Sequence, residues 1–218
     1  MSARPAADLQ ALTAQLSSLP GVRTGRELFA QRPAFPVSEV LGPLFARGGL
    51  PQGEIVQFTG PHALSLALAS VARATREQHW AAAVGVGEPA VASVADFGVD
   101  LERFISLRTP GEDWLRVVSI LVETFDIVIA RPAFAPSAAQ RARLAAKVRE
   151  RRMTLISLGP FAGAAEQIAT EPGQWTGTSA GWGRLRRCAV TATHPRTGAH
   201  RLLLPADTGA AEAVVRAV

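Results

Sequence analysis

Between residues 54 and 158, short apolar runs alternate with segments of helical periodicity, and no other feature limits the possible folds so strongly. Residues 54–59, 80–85, 104–107, 125–130 and 153–158 read as strands. Between them lie a helix over 63–74 that is apolar almost all round, a short helix after Pro89, a helix over 111–123 and a helix over 137–152. In the third of these, Trp114, Val117, Val118 and Leu121 share one face. The run 125–130 is almost continuously apolar, as a strand buried on both faces requires. The expected class is therefore α/β, a mostly parallel sheet flanked by helices.

The flanks differ in character. Residues 8–19 form a short amphipathic helix, with Leu9, Leu12 and Leu16 on one side and Pro20-Gly21 as its stop. A linker rich in Arg, Gly and Pro occupies 21–36. After Pro160, Gly173, Gly177, Gly181 and Gly183 punctuate a loop. Residues 186–193 and 199–204 then flank Pro195-Arg196-Thr197-Gly198 as a β-hairpin, and Val214 and Val215 close a short terminal helix. The chain divides into an N-terminal helix and linker (1–36), a core (37–160) and a C-terminal extension of loop and β-hairpin (161–218). A length of 218 residues suits one such core with appended segments.

Composition removes several functional classes. The single cysteine, Cys188, excludes an intramolecular disulfide and a thiolate metal cluster within one chain. The N-terminus lacks an apolar signal region and no run reaches the length of a membrane span, so the expectation is a cytoplasmic protein. The 23 basic residues exceed the 18 acidic ones only mildly, and Lys147 is the sole lysine.

The most specific segment is Gly48-Gly49-Leu50-Pro51-Gln52-Gly53-Glu54-Ile55-Val56-Gln57-Phe58-Thr59-Gly60-Pro61. It resembles the approach to the ATPase core of the RecA recombinase family, where a Gly-Gly-Leu-Pro turn leads into the first core strand and the phosphate loop. Collinear matches follow: 38–41 ahead of the turn, Gly98-Val99-Asp100, Thr109-Pro110-Gly111-Glu112, and Asp126-Ile127-Val128-Ile129 as an acidic-ended strand. A working loop reads G-x-x-x-x-G-K-[ST], because backbone amides cradle phosphates, the lysine reaches the β and γ oxygens, and the hydroxyl holds Mg²⁺. Here the register is Gly60-Pro61-His62-Ala63-Leu64-Ser65-Leu66-Ala67. Ser65 replaces the glycine, Leu66 the lysine and Ala67 the hydroxyl residue. Arg131 stands where the family has its metal-supporting acid, and Glu88, near the position of the family's catalytic glutamate, reads as a surface or capping residue. The expectation is a RecA-like domain that is not an enzyme and takes neither cofactor nor metal. His62 and Ser65, three apart on a helix, form at most a weak dyad without a third orienting acid. Gly85-Val86-Gly87 reads as a strand end.

Two clusters suit contacts with macromolecules. Arg143, Lys147 and Arg151, with Arg141, Arg149 and Arg152, make the helix over 137–152 basic, while Leu144, Ala145 and Val148 form its inward face. This is a solvated face, or a ridge for nucleic acid or an acidic partner. Trp175, Trp182, Arg184, Arg186 and Arg187 combine aromatic area with charge, as interaction hot spots do. With the degenerate loop, the motifs Gln174-Trp175-Thr176-Gly177 and Gly181-Trp182-Gly183-Arg184-Leu185-Arg186-Arg187 resemble the ImuA family, in its short actinobacterial form ImuA-prime. That resemblance implies an accessory protein of SOS-induced mutagenic translesion synthesis, nucleoid-associated after DNA damage. Its implied partners are ImuB, an error-prone DnaE-type polymerase and RecA. The alternative is a SulA-like division inhibitor that binds the tubulin-like division protein. In the RecA family, loops after the fourth and fifth core strands contact DNA. Here the first shrinks to 131–136, and the second is expected within 161–183, almost free of positive charge, so direct DNA binding should be weak or absent.

Overall fold

A computed structural model describes residues 33–108, 110–179, 182–205 and 212–213. The amphipathic helix carrying Leu9, Leu12 and Leu16 lies outside these residues, as do Val214 and Val215. The strands are β1 (Ala34–Phe35), β2 (Leu50–Pro51), β3 (Glu54–Thr59), β4 (Ala81–Val84), β5 (Phe104–Leu107), β6 (Ile127–Ala130), β7 (Thr154–Leu158), β8 (Glu166–Thr170), β9 (Gln174–Ser179), β10 (Trp182–His194), β11 (Gly198–Leu203) and β12 (Glu212–Ala213). The helices are α1 (Ala63–Arg76), α2 (Val91–Ala95), α3 (Trp114–Thr124) and α4 (Ala138–Arg151).

The main sheet runs β12-β11-β10-β8-β3-β7-β6-β4-β5, with β9 paired to β10 beside this path. From β8 to β5 every neighbouring pair is parallel, whereas β10, β11, β12 and β9 pair antiparallel. Alternating residues of the central strands enter opposite cores. Val56, Phe58, Ile127, Ile129 and Ile156 pack with α1 on one face. Ile55, Val128 and Leu155 pack with Trp114 and Val118 of α3 and Leu144 and Val148 of α4 on the other. This two-sided burial is the reason the strands read as near-continuous apolar runs.

The helices obey their local signals. Ser137 accepts a hydrogen bond from the Gln140 backbone at 3.3 Å, and the Gln140 side chain accepts one from the Ser137 backbone at 2.8 Å, a reciprocal cap worth about 1 kcal/mol. Arg152 ends α4 in a left-handed conformation. A 3-10 turn, Gly111–Asp113, takes the first residues expected in the third helix, and α3 begins at Trp114.

Beyond Pro160 the sequence expectation needs correction. The segment read as a glycine-punctuated loop holds β8 and β9, and β10 already begins at Trp182. β8 lies beside β3, so the sheet continues across residue 160. Its buried positions are Glu166, Ile168 and Thr170, and a single large apolar side chain among three does not announce a strand. The second loop expected within 161–183 is only the connection 159–165. It is far shorter than the roughly a dozen residues usual for parallel crossovers. The connection runs back along β3 with one turn, closed by the Ala164 amide donating to the Phe161 carbonyl: the Phe161 amide donates to Gln57 Oε1 at 2.7 Å, the Ala165 amide donates to the Ile55 carbonyl at 2.8 Å, and Phe161 is buried against the sheet. The hairpin of β10 and β11 stands where expected, turning at residues 195–197. Among the described residues no helix is long and apolar enough to cross a membrane.

Candidate functional site

In parallel α/β sheets ligands usually bind beyond the carboxyl ends of the strands, and here that position belongs to the turn after β3. The turn is short. β3 ends at Thr59 and α1 begins at Ala63, so Ser65, Leu66 and Ala67 are all helical. Leu66 and Ala67 are wholly buried in the core beneath the helix, and a lysine at 66 would enter that core.

The His62 and Ala63 amides of the turn are already engaged. The His62 amide donates to Thr170 Oγ1 at 3.1 Å, and that hydroxyl donates to the Thr59 carbonyl at 3.0 Å. The Ala63 amide donates to the Gly60 carbonyl and the Leu66 amide to the His62 carbonyl. Gly60 has φ +92°, and a Cβ on it would lie 2.0 Å from the Thr170 carbonyl oxygen. The end of β8 therefore presses against the turn where a phosphate would need space. His62 completes the closure: the Gly173 amide donates to its Nε2 at 3.0 Å, with Cys188 Sγ 3.9 Å from the same nitrogen. A Cβ on Gly173 would meet Cys188 Sγ at 2.5 Å, so the strand passes too close for any side chain. Burial holds the His62 imidazole below its ordinary pKa and the Cys188 thiol above its own. Burial thus favours the neutral form of both groups, and with Nε2 accepting from the Gly173 amide the hydrogen bond assigns the neutral imidazole's proton to Nδ1. The sequence left His62 and Ser65 at most a weak dyad; the structure places His62 at the N-cap position of α1, with no side-chain cap bond, and its ring accepts from the β8–β9 connection instead.

The other residues that the sequence comparison singled out stand apart. Arg131 follows β6 directly; it is exposed, and its amide donates to the Val84 carbonyl at 3.0 Å. Glu88 is exposed and pairs with Arg108 at 2.7 Å, as its reading as a surface residue requires. β4 ends at Val84, just before Gly85-Val86-Gly87.

A second set of residues converges on the β9–β10 ribbon. Trp175, 45% exposed, sits opposite Cys188, and Thr176 opposite Arg187. Leu185 is 54% exposed, and Arg186 and Arg187 are exposed beside it. The pairing shifts between Gly183 and Arg187, which makes residues 184–186 bulge from the ribbon. Trp182 and Arg184 lie on the same strand, their side chains outside the described set. The sequence candidates Arg143, Lys147 and Arg151 fall elsewhere, on α4, where Lys147 reaches Glu123 of α3 at 2.6 Å.

Sequence reasoning missed a third cluster at the amino end of the sheet. Glu166 is buried with its Oε2 unpartnered. Arg196 stands 3.7 Å from its Oε1, and His194 Nε2 stands 4.0 Å from its Oε2. Burial raises the Glu166 carboxyl above the usual range against the pull of Arg196, and lowers the His194 imidazole. A glutamate inside an apparent loop carried no signal of this.

The sheet order, with helices on both faces, is that of a RecA-like fold. The solved structures agree: the crystal structure of the RadB recombinase superposes with a TM-score of 0.60 at 17% identity, covering 84% of this chain and 99% of that one. The flagellar accessory protein FlaH from Methanocaldococcus jannaschii gives a TM-score of 0.56 at 11% identity, covering 82% and 97%. No curated protein matches the sequence. The family model of the MT3502 N-terminal domain matches residues 43–163, more than half of the chain, and the protein belongs to that family.

Proposed function

We propose that this protein is a non-catalytic RecA-like scaffold serving SOS-induced mutagenic translesion synthesis, where it joins ImuB, an error-prone DnaE-type polymerase and RecA. The observation that carries the non-catalytic reading is the closed turn after β3. Thr170 and Gly173 engage the His62 backbone and ring, Leu66 is buried at the lysine position, and the exposed Arg131 disfavours a metal. Binding of Mg·ATP in this turn would require the contacts of Thr170 and Gly173 with His62 to break. The assignment to translesion synthesis rests on the ImuA-like motifs at 174–187, which fall on the ribbon with Trp175 and Leu185 turned to water. Exposed aromatic and aliphatic area beside arginine is the composition of an interaction hot spot.

The test uses purified partners. Immobilised protein is expected to retain ImuB and the DnaE-type polymerase, and calorimetry with Mg·ATP is expected to register no binding. Retention should fall for a variant lacking residues 1–20, which removes Leu9, Leu12 and Leu16, or for Trp175→Ala with Arg186→Ala. Micromolar nucleotide affinity would overturn the non-catalytic reading. Retention of the tubulin-like division protein in place of ImuB would move the chain to the SulA-like class. DNA binding is expected to be weak and independent of sequence, with affinity falling with salt by a log–log slope of about −0.7 per phosphate contact on single strands.

A further inference from the structure

The basic residues of α4 are not an isolated ridge. Arg143, Lys147 and Arg151 recur every four residues, so they form a stripe along one side of the helix, about 6 Å between successive positions. That side meets α3. Arg143, Lys147, Leu144 and Gln140 of α4 and Leu115, Arg116 and Ser119 of α3 line a groove of about 310 Å³. Ile120, one turn from Arg116 and Glu123 on α3, is 54% exposed. The acids at the groove are few. Glu123 takes Lys147, and that bond with the charge of Lys147 holds its carboxyl below the usual range. Asp113 stands 4.0 Å from Arg116. Arg143 is exposed and makes no ion pair among the described residues.

We infer that the groove between α3 and α4 is a docking site for an acidic amphipathic peptide segment of a partner protein. A helix carrying carboxylates four residues apart matches the stripe of Arg143, Lys147 and Arg151. Its apolar side chains cover Ile120 and the partly exposed Leu115. A nucleic-acid strand satisfies the charges but leaves that apolar surface open to water. The lining residues include no aromatic on which a base could stack. The other cations of α4 do not extend the stripe: the Arg141 guanidinium donates back to the Pro136 carbonyl at 2.6 Å, and Arg149 lines a separate cleft with Arg47 and Glu54. This surface is distinct from the ribbon and does not depend on the function proposed above.

The experiment is nuclear magnetic resonance of the ¹⁵N-labelled full chain. It is titrated with a synthetic 14-residue peptide bearing glutamate at i, i+4 and i+8 and leucine on the adjoining face. The same composition scrambled and the oligonucleotide dT12 are titrated in parallel. Saturable shifts confined to amides of α3 and α4 are expected for the patterned peptide alone. Arg143→Glu, at an exposed position and checked for a folded spectrum, should weaken binding at least about tenfold, as reversal of a charge contact does. Arg186→Ala on the ribbon should leave binding unchanged. Equal binding of the scrambled peptide, movement of the same amides by dT12 with equal affinity, or no shifts with the patterned peptide would each overturn the inference.

Discussion

The turn after β3 and the β9–β10 ribbon are neighbours in space, joined through His62, Gly173 and Cys188, yet they treat solvent in opposite ways. At the turn, amides that could have held a ligand bond to the protein itself, and the residue at the lysine position is wholly buried. On the ribbon, large apolar side chains stand in water beside arginines. One region spends its polar groups on folding, and the other leaves apolar surface unspent. Changes at the turn should therefore cost stability without altering partner binding, and changes on the ribbon should do the reverse.

The largest effect is expected from Leu66→Lys. It places an unpaired ammonium in a closed core and should destabilise the fold by at least about 3 kcal/mol in urea denaturation. Mg·ATP should not rescue it, because Ser65, Ala67 and Arg131 are unchanged; stabilisation by nucleotide would break the comparison. Next comes Gly60→Ala, which forces a Cβ into the Thr170 carbonyl at a positive φ and should cost about 2–3 kcal/mol. Normal stability would mean that β8 does not clamp the turn.

His62→Ala removes the acceptor for the Gly173 amide and should cost about 1 kcal/mol near neutral pH. Its pH dependence is more telling. His62 and His194 both have folded pKa values depressed by burial, so their neutral forms are favoured in the fold. The stability tied to them is present above the unfolded value near 6.5 and is lost as pH falls through the folded values. Glu166, raised by burial, has the opposite sense: it loses stability as pH rises from about 4.5 through its folded value. Urea midpoints between pH 7.5 and 5 should fall more steeply for the native chain than for His62→Ala. Parallel curves would remove the proton-sensitive contact with Gly173. The smallest change in stability, within about 0.5 kcal/mol, is expected for Trp175→Ala with Arg186→Ala, alongside at least about a tenfold loss of ImuB binding. Loss of stability without loss of binding would assign the ribbon to the fold.

Much of the architecture was legible because local chemistry and burial agree. The apolar runs that became β3, β6 and β7 are buried on both faces, and Ser137 with Gln140 announces the start of α4. The missing lysine, hydroxyl and acid were also legible, since a phosphate loop is defined by residue types at fixed spacing. β8 was hidden, because Glu166 and Thr170 occupy buried positions that periodicity assigns to apolar side chains. By itself, then, the sequence determined a helix-flanked parallel sheet and the leucine and alanine at 66 and 67 where a phosphate loop has lysine and a hydroxyl residue, both written in neighbouring residues. Only the tertiary structure decided that the loop is closed by Thr170 and Gly173, more than a hundred residues away, and that the basic stripe of α4 borders a groove. Contacts across that separation depend on how strands and helices pack, and one-dimensional periodicity carries no record of which surfaces meet.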